Sequence, residues 1–383
     1  MSASGEAGLD LRARLAELAR IESTAPGVVS VYLDTRWTDE HERERARIFL
    51  RNELQRARQA GQGGAHPDDL DWIERQVESL IGQAPFPDAH GVALFACRAV
   101  SLREVFPVRV PFEDRFVVAA TPLLLPLATA LDELPGAVVV FVDTEHARLV
   151  PLDPTGPARE VVLEAEVPGR HSRGGWAQLA QSRYQRHIQD HRDRHFDAVG
   201  ESLAAIVDAH GVERIVLAGE PRNVAVFQRT LPAHLAGKIV GTVEGDGHQT
   251  STVVVTRAVE LLRRVEGQRR AESVDAVLTE AAKSRQAVAG VDETLEAANR
   301  GAVHRLYIAK SFASSGQACV ACRALAQGEA ARCRLCGSPT TRVDLAQAMS
   351  DRVLAAGGHV SVIDVHADLA RVGGIAALLR YPL

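Results

Sequence analysis

The chain has 383 residues, 46% of them hydrophobic, enough for the cores of two or three domains, and a formal net charge of −5 at pH 7. No apolar run approaches the ~18 residues a spanning helix needs, and Met1–Asp10 is polar and acidic, without the apolar centre of a secretory signal. Five cysteines, four of them in paired spacing, fit a reducing compartment and a metal better than disulfides, so a soluble cytoplasmic protein is expected.

Three segments separate by pattern: 1–132, 133–248 and 249–383. In the first, Leu9–Ile21 reads as a short helix and Val28–Leu33 as a strand. Asp39–Arg58 is strongly charged, yet it carries Ala46, Leu50 and Leu54 four residues apart, the mark of a helix with a narrow apolar stripe. Gly61–Pro67 breaks that helix. Trp72–Ile81 predicts another, and Val92–Ala96 a buried strand.

The second segment opens on Ala137–Val142, a continuous β-branched run typical of a strand covered on both faces. Phe196, Val199, Leu203 and Ile206 recur at spacings of 3, 4 and 3 and mark the apolar face of a long helix. From Trp176 to about Ala209 that helix is ~50 Å long at ~1.5 Å per residue. Arg214–Gly219 is the next strand, and strand, helix, strand predicts a βαβ layer.

Positive charge gathers where the helix begins. Between Gly169 and His195 there are six arginines and four histidines against two aspartates. Arg170, His171, Arg173, Gly174, Gly175 and Trp176 form the lead-in, and Arg183, Arg186, His187, His191 and Arg194 or His195 continue along the helix. A charged stripe is most often a solvated face. Beside a glycine pair, in an acidic chain, the alternative is a surface for a polyphosphate, and the residues alone leave both readings open. The glycines supply backbone freedom at small cost, whether for a docking tip or for a plain helix-entry turn. Trp176 has two readings, packing onto its own domain or stacking on a base for roughly 1–3 kcal/mol. His187 and His191 are four residues apart, but Asp190 is the only carboxylate between them and no third ligand pattern follows, so a peptidase-type zinc site is set aside.

The third segment predicts a helix through Ala258, Leu261, Leu262 and Val265, then strands at Val303–Ile308 and His359–Ile363. Between the strands lies an insert, 317–340, with Cys319 and Cys322, then Cys333 and Cys336: two CxxC pairs separated by ten residues. Each pair lets two thiolates reach one ion at about 2.3 Å, and two pairs complete a tetrahedron. Gly337 suits the tight turn that follows, and Arg332 and Arg334 offset the thiolate charge. Structural zinc is expected, with a degenerate site or a redox pair as the alternatives. Four sulfurs leave no position for water, so the site serves folding rather than catalysis. Cys97, isolated in an apolar stretch, reads as core. There is neither a Walker-type phosphate loop nor a Gly-x-Ser-x-Gly elbow.

The string from Pro168 through Gly200 resembles the central domain of the eukaryotic and archaeal class I release factors and their Pelota relatives. Gly290-Val291-Asp292-Glu293-Thr294-Leu295, Gly301-Ala302-Val303 and Gly373–Tyr381 resemble that family's C-terminal domain, so the likeness covers roughly the last 250 residues. It implies an α/β fold of three domains: an N-terminal α/β domain, a central βαβ domain with a long basic helix, and a C-terminal α/β sandwich with a zinc-ribbon insert. That sandwich is similar to ribosomal proteins that bind kinked RNA. The resemblance further implies binding in the ribosomal A site, with the Arg170–Trp176 tip toward the peptidyl-transferase centre and Gly174 to His191 facing rRNA. It implies an elongation-type GTPase partner, EF-Tu, and neither DNA nor membrane. Two positions depart from the family. Trp176 stands where the family has the glutamine that helps water cleave peptidyl-tRNA, and an indole offers one donor and no comparable acceptor. No Asn-Ile-Lys-Ser stop-codon string occurs before residue 133. The chain thus resembles most closely the Balon-like hibernation factors, which implies occupancy under stress. The alternatives are peptidyl-tRNA hydrolysis through Gly174 and Gly175, and a factor for another structured RNA.

Overall fold

The computed structural model describes residues 11–382 except 24, 60–63, 84, 87–88, 153–159, 165–176, 246–248 and 284–285, with the backbone alone described at 177–188. Two compact units emerge, Leu134–Glu266 and, separately, Leu9–Glu133 with Gly267–Leu383. The architecture is mixed α/β, as expected from the sequence.

The chain begins with α1 (Leu11–Leu18), β1 (Val28–Asp34), α2 (Glu40–Gln59), α3 (Pro67–Gln83), β2 (Gly91–Cys97), β3 (Leu102–Val108), β4 (Arg115–Ala119) and α4 (Leu125–Glu133). The strands form an antiparallel sheet in the order β3-β2-β1-β4. The narrow stripe on α2 explains how so charged a helix docks: Ala46, Leu50 and Leu54 join Leu70, Ile73 and Val77 of α3 over Val29, Val31 and Leu33 of β1. The alternate side chains of β1 and β2 point away from these helices. There Tyr32 packs edge-to-face on Phe112 at 4.8 Å and on Phe95 at 6.0 Å, and its hydroxyl donates to the Leu123 carbonyl. Cys97 is fully buried, as a core residue should be.

The unit Leu134–Glu266 holds β5 (Ala137–Val142), β6 (His146–Leu152), β7 (Val161–Glu164), α5 (Ala177–His210), β8 (Arg214–Gly219), α6 (Pro221–Thr230), α7 (Ala233–Ala236), β9 (Ile239–Glu244) and the first half of α8 (Ser251–Lys283). Strand order is β7-β6-β5-β8-β9, with β5, β8 and β9 parallel and β6 and β7 antiparallel. The βαβ relation of β5 and β8 is present. An antiparallel meander, β6 and β7, precedes the crossover helix, and the short alternating runs that form it carry no strong periodic signal. Every residue of β5 is buried, which accounts for its uninterrupted apolar run. Phe196, Val199 and Leu203 of α5 sit at 0% exposure in one core with Val138, Val140, Leu217 and Phe227. On the other face α8 lies close to β9: a Cβ on Gly241 would come within 2.8 Å of the Leu261 side chain.

The chain continues through β10 (Ala287–Ala289), α9 (Val291–Asn299), β11 (Val303–Ala309), β12 (Ser315–Cys319), β13 (Leu325–Gln327), β14 (Thr340–Asp344), α10 (Leu345–Ala355), β15 (His359–Ile363), α11 (Ala367–Arg371) and β16 (Ile375–Leu379). One sheet runs β10-β16-β11-β15, with β11 and β15 parallel, and Val274 and Val277 of α8 pack with Tyr307, Leu369 and Ala376. Gly373 and Gly374, at φ +90° and +80°, make the turn from α11 into β16, a backbone only glycine adopts without strain. The cysteine insert is a separate small sheet, β13-β12-β14. Among the described residues, no helix is long and apolar enough to cross a membrane.

Candidate functional site: a basic helix and a four-cysteine centre

The 34-residue helix α5 is held by its C-terminal half. Phe196 meets Phe227 ring to ring at 5.4 Å, and Val199, Leu203 and Val207 follow it into the core. Burial of this kind stabilises by about 1.5–3 kcal/mol per large side chain. Arg170, His171, Arg173, Gly174, Gly175 and Trp176 lie outside the described residues, and Arg183, Arg186 and His187 are placed on the helix by their backbone alone.

Further along, the sequence left Arg194 and His195 as alternatives for the outward stripe, and the structure separates them. Arg194 is exposed and His191 partly so, while His195 is turned inward with 6% exposure. Its imidazole bonds to the His146 backbone, and Nε2 is buried without a partner among the described residues. Burial holds its pKa below the ordinary 6.5, partly opposed by that bond and by Asp143. Arg192 pairs with Asp193 at 2.9 Å and lies 5.8 Å over the Phe196 ring.

Charge changes sign along the helix. From Ala177 to Arg194 it carries Arg183, Arg186, Arg192 and Arg194 against Asp190 and Asp193, whereas Asp197, Glu201 and Asp208 follow with no arginine or lysine. The macrodipole rewards the opposite arrangement, anions at the N-terminus and cations at the C-terminus. The first turn carries no acidic residue, and the last turn has Asp208 beside His210.

The second centre is the cysteine insert. Cys319, Cys322, Cys333 and Cys336 bring their Sγ atoms within 4.8 Å of one another. The closer pairs are Cys319–Cys336 at 3.4 Å, Cys322–Cys336 at 3.5 Å and Cys322–Cys333 at 3.6 Å. A regular tetrahedron of sulfurs, each about 2.3 Å from its centre, has edges near ~3.8 Å, so the four fit one metal ion with little adjustment. Backbone N–H groups already point at the sulfurs: Cys322 N donates to Cys319 Sγ and Leu335 N to Cys333 Sγ, both at 3.4 Å. Cys336 is drawn down to about 6 by the Ser338 side chain and N–H, and Cys333 is lowered by the N–H groups of Cys336 and Leu335. The Ala324 N–H pulls Cys322 the same way, but bonds to neighbouring sulfurs prevail and push it up to about 12. Two lowered thiols and one raised one, hydrogen-bonded sulfur to sulfur, are a set from which a bound metal would displace protons.

Gly337 takes the turn the sequence assigned to it, at φ +73°, its N–H donating to Cys333 O at 2.9 Å. The sequence reading missed its counterpart. Arg323 follows the first pair as Gly337 follows the second, adopts φ +58° and donates its N–H to Cys319 O at 3.0 Å. Equal position after each CxxC was the available signal; arginine concealed it. Two further residues fasten the insert. Asn299 closes a two-way bridge with the Leu325 backbone at 2.8 and 2.9 Å, and Arg352 donates to Arg323 O at 2.7 Å and Asn299 O at 2.9 Å. Arg332 donates to Gly337 O at 3.1 Å.

The sequence model of bacterial archaeo-eukaryotic release factor family 10 matches residues 122–264, which hold α5 and the sheet beneath it. No curated protein matches the chain significantly. Among solved structures, the archaeal translation termination factor aRF1 is similar over 97% of this chain and 98% of its own, at 17% identity and TM-score 0.26. Ribosome-bound archaeal Pelota is similar over 97% and 94%, at 16% identity and TM-score 0.42. Dom34 of S. cerevisiae, a translation termination-like factor, is similar over 95% and 98%, at 11% identity and TM-score 0.41. What the comparisons establish is a match between its middle third and a release-factor family.

Proposed function

We propose that this chain is a ribosome-binding translation factor of the release-factor type, built as three domains, 1–132, 133–248 and 249–383. It occupies the A site, and its central domain extends the loop Arg170–Trp176 toward the peptidyl-transferase centre. One observation carries the reading: the segment that matches the release-factor family contains a helix whose N-terminal half has four arginines against two aspartates, in a chain of net charge −5. A polyphosphate partner explains that arrangement. Arg170, His171 and Arg173, then Arg183, Arg186, His187 and His191, contact rRNA backbone and set position rather than read sequence. Gly174 and Gly175 let the tip turn in a confined channel, and Trp176 stacks there.

The role is occupancy, in hibernation or stress, with an elongation-type GTPase such as EF-Tu delivering the factor in the cytoplasm. The four cysteines hold a structural zinc that keeps the C-terminal insert folded and supplies no chemistry. Trp176 in place of glutamine supports occupancy over hydrolysis. The test is cosedimentation with purified ribosomes across a salt series, with and without the GTPase. Association that weakens with salt and is lost in Arg183→Glu/Arg186→Glu is expected. No association at low salt, with the GTPase present, overturns the proposal.

The intact glycine pair keeps a second reading, peptidyl-tRNA hydrolysis in release or rescue. Release of labelled peptide from stalled ribosomes, abolished by Gly175→Ala, would establish it, and a silent assay would dismiss it.

A further inference from the structure

The cysteine insert is fastened to its unit by Asn299 and Arg352, yet its two CxxC loops display apolar side chains. Leu335 is 78% exposed and Val320 56%, one in each CxxC loop, and Ala321 and Pro339 beside them are exposed too. The loops are joined, since Val320 N donates to Pro339 O at 3.1 Å. A single exposed aliphatic residue means nothing by itself. Two in loops gathered around one four-sulfur cluster, on an insert held by Asn299 and Arg352, form a prearranged tip, and prearrangement reduces the ordering cost of binding.

The charge around the tip is one-sided. From Cys319 to Arg342 there are four arginines and one glutamate. Arg332 is turned onto Gly337 O, and Arg323 pairs with Glu22. Arg334 and Arg342 are exposed and make no ion pair among the described residues. Folding of the insert explains the cysteines, Gly337 and Arg332. It leaves Leu335, Val320, Arg334 and Arg342 unexplained.

We propose that this tip is a protein-docking surface for an acidic segment carrying aliphatic or aromatic anchors. Leu335 and Val320 enter an apolar patch of the partner, and Arg334 and Arg342 meet its carboxylates. RNA phosphate would suit the arginines, but stacking on bases is mainly the work of aromatic side chains, and Leu335 and Val320 are aliphatic, so the pair favours protein. The inference does not depend on the ribosome reading.

A random peptide library displayed on phage, selected against the full zinc-loaded chain with its metal content measured, tests the assignment. Enriched sequences rich in Asp and Glu with interspersed Leu, Ile or Phe are expected. A synthetic copy, followed by fluorescence anisotropy, should bind about tenfold more weakly to Leu335→Ser and several-fold more weakly to Arg334→Glu, the latter loss shrinking in high salt. Both variants should retain the metal; if Leu335→Ser does not, Val320→Ser provides the same comparison. The proposal is overturned if no peptide is enriched, if the enriched peptides are basic, or if the variants bind as the parent does. It is equally overturned if a labelled 20-nucleotide RNA, rather than peptide, is the ligand these variants lose.

Discussion

Helices α2 and α5 are both rich in arginine, and they show how little an arginine count says by itself. On α2, Arg43, Arg45, Arg47 and Arg56 each reach a glutamate three residues earlier, and Arg58 reaches Asp71 and Glu74 of α3. Each glutamate precedes its arginine, as the dipole favours, so the surface neutralises itself. On α5, Arg183 has no carboxylate three or four residues away in either direction, and Arg186 has only Asp190. The informative feature is where carboxylates are missing. A stretch without them is the part of α5 proposed to meet an external anion.

The comparison can be broken most severely by cutting α5 from its anchor. Phe196 is wholly buried against Phe227, so Phe196→Ala should destabilise the unit Leu134–Glu266 by about 3–5 kcal/mol. Hydrogen exchange should speed up along α5 and β8 while α2 keeps its protection. Equal loss in both regions would mean that the helix is not held where its apolar stripe suggests.

A charge exchange sharpens the contrast without touching the core. Arg183→Glu/Arg186→Glu should weaken ribosome cosedimentation about tenfold or more and lower its log–log salt slope by roughly 2. Arg43→Glu/Arg45→Glu on α2 should change binding less than about twofold and cost only a few tenths of a kcal/mol in stability, the worth of the lost pairs. Equal effects on binding would erase the distinction between the helices.

His195 adds a pH dependence that belongs to α5. Its native pKa lies below 6.5, so the unfolded chain takes up this proton first as pH falls. The neutral form's stabilising contribution is complete above pH ~6.5 and is lost progressively from there down toward the native value. Melting temperatures at pH 7.5 and 5.5 should differ less in His195→Gln than in the parent. His359, lowered to about 4 by burial, acts in the same direction in the other unit, so the informative quantity is the parent-minus-variant difference.

Legibility in the sequence followed periodicity and burial. β5, fully buried, and the stripe of α5 were plain, because a single apolar rule governs each. The meander of β6 and β7 was not: β7 has only four residues, alternately partly buried and exposed, and offers no run to notice. The cysteine centre was legible from spacing alone, since the metal's geometry imposes it. Its fastening by Asn299 and Arg352 was hidden, because those contacts join residues 26 and 29 positions apart. The choice between Arg194 and His195, by contrast, was readable from the same stripe, because His195 stands four residues before Val199 and eight before Leu203; only its bond to the His146 backbone of β6 was hidden.

The smallest expected effect discriminates best. Gln178 lies in the first turn of α5, where no acidic residue occurs. A glutamate there should interact favourably with the helix N-terminus, by about 0.3–1 kcal/mol at low ionic strength. Gln178→Glu should therefore raise the melting temperature slightly and, if the proposed function holds, weaken salt-sensitive association with the ribosome, because it brings negative charge to the end proposed to approach phosphate. A surface shaped only by solvation would gain the stability and lose nothing. Opposite signs in the two measurements are the mark of a helix that forgoes its own best charges for those of a partner, and two changes of the same sign would remove the reason for reading α5 differently from α2.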